Sequence, residues 1–303
     1  MNLTCKENLY SPLVLRRVLF NPLQNGFDKE NIAATEINGN TREGNVEFKN
    51  IRKDVIQGEV HDEKAFYTMN GVSGHAGLFS NSHDLAVLMQ VMVNGGGYGH
   101  VKLFDEKIIN DFISPSTTND TYSLGWRRKG SAGYYWAFGK YSSSNTVGHT
   151  GWTGTTSIID IDNDIVIVWL SNTKNTPIAD TRKDVNRMFG DAFQFDSGGT
   201  LSTLVYEGII GCSDDSLEKS ILQIAIDRNK VLQDEISKNG NCTEADYMAS
   251  SAIVDVLLSK AEKDRNDQTF QRALTAYRSM PESKLKKLFK NRLEKINTFS
   301  LEI

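Results

Sequence analysis

The sequence is poor in residues that staple or coordinate. Its three cysteines, Cys5, Cys212 and Cys242, form no CxxC pair and no metal-ligand spacing. A disulfide scaffold and a cysteine-based zinc or redox motif are therefore excluded, and free thiols are expected. Long hydrophobic runs are missing too, since no apolar stretch reaches the roughly 20 residues that a membrane-crossing helix requires. Neither sign of charge dominates: 34 Lys and Arg against 38 Asp and Glu give a net charge of -4, with no general electrostatic reason for a nucleic-acid partner. Near the N-terminus Lys6, Glu7, Arg16 and Arg17 stand where a secretory leader has its apolar core, so no export signal is read there. What is present, 39% hydrophobic and 24% charged residues in a chain of 303, fits one large or two modest globular domains, each with a real core.

The strongest local signal is Thr146 to Asn172. Two β-branched runs, Ser157 to Ile161 and Ile165 to Leu170, are joined by Asp162-Asn163-Asp164, which predicts a β-hairpin in the middle of a sheet. Its preface, Gly148-His149-Thr150-Gly151-Trp152-Thr153-Gly154, is too rich in glycine for a regular strand interior. Glycine in that setting marks a close approach to the backbone, with a ligand as one explanation.

Read in order, residues 10 to 60 are irregular, apart from a short helix expected over Val14 to Leu19. A helix with Ser82 as N-cap follows, carrying Leu85, Leu88, Met89 and Met92 on one face and stopped by Gly95 to Gly97. Phe104 to Ile113 predicts a second helix, capped by Asp105 and ended by Ser114-Pro115. Tyr122 to Arg127 and Tyr134 to Lys140 read as aromatic-rich strands. Ile178 to Phe195 fits an amphipathic helix with Val185, Met188, Phe189 and Ala192 on a common face. Asp196 to Gly199 marks a boundary, giving domains over 1–195 and 196–303. Past it the text is helical: Leu201 to Ile210, Leu217 to Ser237, Thr243 to Lys263 with a Thr243/Asp246 capping box, Gln268 to Ser279 and Glu282 to Ile296. The basic cluster Lys284, Lys286, Lys287, Lys290, Arg292 and Lys295 reads as a solvated helix face.

Two blocks carry a family resemblance. Gly58-Glu59-Val60-His61-Asp62 runs on through Gly71-Val72-Ser73-Gly74-His75-Ala76-Gly77-Leu78-Phe79-Ser80 to Asp84-Leu85-Ala86, and Gly148-His149-Thr150-Gly151-Trp152-Thr153-Gly154 leads into the hairpin and Leu170-Ser171-Asn172. Together they resemble the GxVHD/GHAGLFS and [KH]TG segments of the serine β-lactamase and penicillin-binding-protein superfamily, in its class C-like branch of D-Ala-D-Ala carboxypeptidases and esterases. Phe20-Asn21-Pro22 and Ile32 to Glu36 fit more weakly, and the resemblance spans about Tyr10 to Phe195.

The resemblance implies an α/β (α+β) fold, an antiparallel sheet with helices, here followed by a helical C-terminal region. It also implies acyl transfer through a serine in S-x-x-K, acting on a small-molecule or peptide acyl substrate with no cofactor. Carried over by residue, His149 orients or electrostatically assists a substrate carboxylate, Thr150 hydrogen-bonds it, Gly151 lets the substrate backbone lie close, and the Trp152 N–H is an oxyanion donor. A neutral imidazole is a weaker partner than lysine, so carboxylate binding strengthens on acidification through the ordinary imidazole range, about pH 6.5. His61, Asp62 and His75 are expected to wall the substrate pocket by hydrogen-bonding its loop. Scattered over Gly-rich turns, they lack the spacing of a metal site. Trp126, Trp136 and Trp152 are either groove-lining or core.

One departure stands out. Neither S-x-x-K nor a Y-x-N element precedes the GxVHD block. Ser171/Lys174, Ser216/Lys219 and Ser283/Lys286 have the spacing, but at a strand end and in the helical tail. Ser73 and Ser80 lack both the G-x-S-x-G elbow and a lysine in register. The chain is thus expected to be the C-terminal part of a serine hydrolase domain, N-terminal part missing. Its partner would be an upstream half or a separate chain, and it would leave a hairpin edge and an apolar face unpaired. The alternative is a non-catalytic binding or assembly module. Family members work mostly outside the cytoplasmic membrane, and the N-terminal text shows no route there, so no compartment is assigned.

Overall fold

The computed structural model describes residues 2–130, 135–180, 184–193, 199–211 and 213–300, and it divides into two compact units, Met1–Thr203 and Leu204–Ile303. At the centre of the first is a four-stranded antiparallel sheet of β1 (Arg127–Arg128), β2 (Val147–Gly151), β3 (Thr155–Asp160) and β4 (Ile165–Trp169), paired in the order β4-β3-β2-β1. The predicted hairpin is β3-β4, in register from Thr156 opposite Trp169 to Asp160 opposite Ile165. Its turn is locked by Asp160, whose Oδ2 accepts from Asn163 Nδ2 at 2.8 Å and from Ser143 N at 3.0 Å. β4 is the sheet edge: among the described residues no strand pairs with its outer side.

The Gly-rich preface expected to be irregular is strand β2 over Val147–Gly151. Its glycines face the protein itself. A Cβ on Gly148 would sit 2.3 Å from Ser157 O, and one on Gly151 would sit 2.2 Å from Thr155 Oγ1.

Helix α1 is Glu63–Thr68, α2 is Ser82–Val93 and α3 is Glu106–Ile113. Asn81, one residue before the expected cap, accepts from Asp84 N at the start of α2. This helix is buried on two sides. Met89 packs on Val147 and Ile159 of the sheet, while Val87 and Val91 pack on Tyr10, Leu13, Leu15 and Val18. Burying each such side chain contributes about 1.5–3 kcal/mol. α2 thereby covers one face of β3 and β4, so the apolar face expected to be bare has a partner.

Four expected elements are corrected. Val14 to Leu19 is not helical: Val14 sits at φ 58° and Arg17 N donates to Asp84 Oδ2 at 2.9 Å, so the backbone bonds run across to α2 and not along the chain. Leu19–Phe20 pairs instead with Leu78–Phe79. Tyr122 to Arg127 folds back on itself through a single Tyr122–Arg127 bridge and a Ser123 N to Trp126 O bond, leaving only β1 as strand. In the stretch Tyr134 to Lys140, Tyr134 lies outside the described residues and Tyr135–Phe138 is a helical turn. It is held by Ser202 Oγ donating to Ala137 O. The helix expected over Ile178 to Phe195, of which 181–183 and 194–195 lie outside the described residues, is a bridge between Ile178 and Met188 followed by a tight 3-10 turn over Phe189–Phe193. The side chain of Asp191 is responsible: it accepts from Met188 N and from Lys174, ties that hold this stretch against the loop after β4.

The second unit holds helices α5 (Asp214–Asn239), α6 (Glu244–Asp264), α7 (Asp267–Ser279) and α8 (Lys284–Ser300), preceded by α4 (Thr200–Ile209), which crosses the unit boundary. The predicted capping box is formed: Thr243 accepts from Asp246 N, and Asp246 accepts from Thr243 N. The basic residues of α8 are partly paired, Arg292 with Asp255 and Glu262 and Lys286 with Glu282. The expected Asp196 to Gly198 boundary residues and Cys212 lie outside the described residues. No described helix is long and apolar enough to cross a membrane.

Candidate active site

β2 delivers His149 and Thr150 to opposite faces of the sheet, because strand side chains alternate; they stand opposite Ser157 and Thr156 of β3. The exposed His149 imidazole turns back so that Nδ1 lies 2.8 Å from Thr150 O. A carbonyl only accepts, so Nδ1 carries the proton. Nε2 of the neutral ring is then an acceptor, becoming a donor to a carboxylate only when the ring is protonated.

The turn after β2 is closed by Gly154 N donating to Gly151 O at 3.0 Å, a bond that does not use the Trp152 N–H. Gly154 has φ +100°, and a Cβ there would lie 2.5 Å from Ser171 Oγ. Only glycine lets the turn seat on the loop after β4. Trp152 is 53% exposed. Lys174 Nζ lies 4.0 Å from the centre of its ring. Lys174 itself is 5% exposed, and its ammonium donates to Asp191 Oδ2 at 2.5 Å and Asn186 O at 3.0 Å.

The GxVHD block is gripped by Arg52, which donates to Val60 O at 2.8 Å, His61 O at 2.9 Å and Asn40 Oδ1 at 2.8 Å. His61 and Asp62 then part. The His61 ring is buried, its Nε2 3.2 Å from Glu36 Oε2, although neither ring nitrogen meets hydrogen-bond geometry. Asp62 caps α1 through Ala65 N at 2.7 Å and meets His75 Nε2 at 3.3 Å. Burial raises the Asp62 carboxyl, but the Ala65 N–H and His75 outweigh it and hold it below the usual carboxylate range. His75 Nδ1 in turn lies 3.2 Å from Ser73 Oγ. Asp62, His75 and Ser73 thus form a hydrogen-bonded relay. Ser73 is buried, however, and its Oγ accepts from Ala76 N at 3.1 Å while lying 3.0 Å from Ala76 O, so it closes a turn.

A charged network missed in the sequence links the two blocks. Arg42, 5% exposed, donates to Glu36 Oε1 at 2.5 Å, Glu63 Oε1 at 3.0 Å and Asn186 Oδ1 at 3.2 Å. Asn186 passes the connection to Lys174 and so to Trp152. Nearby, Asn172 Nδ2 donates to Ala34 O at 2.9 Å, tying the end of β4 to the Ile32 to Glu36 segment.

The S-x-x-K spacings do not assemble nucleophile and base. Ser171 Oγ donates to Gly154 O, Lys219 pairs with Asp215, and Lys286 pairs with Glu282 and donates to Met280 O. Of the three tryptophans considered, Trp126 packs on the Met89/Ile159 core, the side chain of Trp136 lies outside the described residues, and Trp152 faces solvent. His61, Asp62 and His75 do not converge on one point. Among the described residues the one close group of metal-ligating types is Glu235, Cys242 and Asp246, where Asp246 already serves the α6 cap.

A family model described as Beta-lactamase matches residues 4–188. The chain belongs to the β-lactamase family. This β-lactamase-family chain is 52% identical over 204 residues to "N-acetylmuramyl-L-alanine amidase" of Bacillus subtilis, covering 67% of this chain and 46% of that protein. It is 54% identical over 181 residues to "Putative D-alanyl-D-alanine carboxypeptidase" of Escherichia coli K12, covering 60% of this chain and 42% of that protein. A Salmonella paratyphi B protein of the same description is 53% identical over 181 residues, with the same coverage of 60% and 42%. The chain thus spans less than half the length of the curated relatives it matches.

Proposed function

We propose that this chain carries the substrate-binding wall of a serine hydrolase acting on acyl bonds, with the nucleophilic serine supplied from outside these 303 residues. The observation that carries the reading is the β2 edge. An exposed His149, with Nε2 free of the Nδ1 bond to Thr150 O, stands beside Thr150 and a turn whose hydrogen bond leaves the Trp152 N–H out. A substrate carboxylate binds protonated His149, while the acyl oxygen takes the Trp152 N–H; the Thr150 side chain, on the opposite face of the sheet, does not share that carboxylate. The serine oxygen adds to the acyl carbon, the amine or alcohol leaves with the serine proton, and water then releases the acid. Asp62 and His75 brace the neighbouring loop and His61 buttresses Glu36, so their part is positioning.

The relatives' names guide the substrate class: a D-alanyl-D-alanine peptide, or the amide of N-acetylmuramyl-L-alanine. An external nucleophile is supported by the engagement of all three candidate lysines elsewhere and by the length of the relatives.

Intact-protein mass after incubation with a fluorescent penicillin, and separately with a fluorophosphonate, tests the reading. The expected result is no adduct on this chain and a stoichiometric adduct on a version extended upstream by the relatives' remaining half. An adduct on this chain overturns it, and peptide mapping to Ser73 would make the Asp62–His75–Ser73 relay the catalytic centre. No adduct on either favours a non-catalytic module.

A further inference from the structure

We propose that the exposed face of Trp152 is a specificity surface that accepts an uncharged, C–H-rich part of the ligand, a sugar face or an aliphatic side chain, and rejects a cationic one. The inference rests on the reading of β2 as the carboxylate-binding wall. Its own observations are separate. Trp152 is the residue directly after His149-Thr150-Gly151 and is 53% exposed. Its ring lies against a buried ammonium, Lys174 Nζ, 4.0 Å from the ring centre. Two partners, Asp191 Oδ2 at 2.5 Å and Asn186 O at 3.0 Å, hold that ammonium in place.

An aromatic ring attracts cations because its faces are negative. Here one face is already occupied, and the π electrons are drawn toward Lys174. The face left to solvent is correspondingly less negative, so it loses the usual attraction for an approaching ammonium. The Lys174 charge adds repulsion, weakened by Asp191. Contact with C–H groups depends on dispersion and area burial, which polarisation of the ring leaves intact. Discrimination thus comes from a built-in repulsive element beneath an ordinary apolar plate. The lysine that ties the Asp191 stretch to the loop after β4 thereby also supplies this selectivity.

Two peptides test this: acetyl-norleucyl-D-alanyl-D-alanine and acetyl-lysyl-D-alanyl-D-alanine, alike in length and differing by one ammonium. Each is titrated into the full chain, read by tryptophan emission and by calorimetry. The expected result is tighter binding of the norleucine peptide, by roughly three- to tenfold, from an interaction of this kind at a partly exposed site. Lys174→Met abolishes or inverts the preference. Trp152→Phe, which keeps an aromatic plate over Lys174, gives a second arm: it retains the preference, and loss of the preference there overturns the inference. Equal binding of both peptides by the wild type, with affinity lost in His149→Ala, overturns the inference and leaves the carboxylate wall intact. Binding of neither peptide overturns both.

Discussion

Replacing Arg42 by Met tests whether the buried charge network organises the site. Arg42 is 5% exposed and Glu36 is 3% exposed, paired at 2.5 Å. Methionine keeps the volume and the same φ of 51°, so backbone strain cancels and what changes is the charge. It leaves the Glu36 carboxylate in a low-dielectric setting with His61 as its remaining ion-pair partner among the described residues. Stranding one partner of a buried pair costs about 3–5 kcal/mol. In a unit of Met1–Thr203 that is a fall in Tm of roughly 6–20 °C. All four tryptophans, Trp126, Trp136, Trp152 and Trp169, lie in this unit, so urea unfolding followed by tryptophan emission reports on it alone. The double variant Arg42→Met/Glu36→Gln should recover more than half of the loss, because an amide is far cheaper to bury than a carboxylate. A cost for Arg42→Met below about 1 kcal/mol, or a double variant as unstable as the sum of the single changes, would refute the network as described.

Other consequences are independent of it. Asp62→Ala removes the α1 cap and should destabilise by about 1 kcal/mol at pH 7. Because the Asp62 carboxyl titrates below its ordinary value in the fold, its stabilisation is present above about pH 4 and is lost as the pH falls through the folded value. The gap to the variant should therefore close in acid, which urea titrations at several pH values would register. Gly154→Ala places a Cβ 2.5 Å from Ser171 Oγ at φ +100° and should cost about 1–3 kcal/mol; a neutral effect on the urea midpoint would mean that the turn is not seated as described. Thr243→Ala should cost about 1 kcal/mol in the helical unit, visible in far-UV circular dichroism and silent in tryptophan emission.

What could be read from the sequence follows periodicity. The β3-β4 hairpin was legible because β-branched runs of strand length flank an Asp-Asn-Asp turn. The tail helices were legible because caps such as Thr243/Asp246 and an apolar period coincide. α2 was found, yet its single-face description was incomplete: Val87 and Val91 serve a second core that depends on the N-terminal segment. Ile178 to Phe195 has a helical spacing of apolar residues, but Asp191 and Lys174 bind that stretch to the loop after β4, and tertiary hydrogen bonds prevail over a weak local preference. The glycines of the HTG preface did signal close approach, though by Ser157, Thr155 and Ser171 of the same chain. The network formed by Arg42, Arg52, Lys174, Asn186 and Asp191 was not legible, Lys174 having been noted only for its S-x-x-K spacing from Ser171. Buried ion pairs join residues far apart in sequence, and no spacing announces them.

Calorimetric titration of acetyl-norleucyl-D-alanyl-D-alanine into the wild-type chain and into His149→Ala tests directly whether His149 on β2 binds a substrate carboxylate. The substitution should weaken binding by about tenfold, the loss expected for one charge-assisted hydrogen bond. Equal affinity in the wild type and His149→Ala would contradict that role.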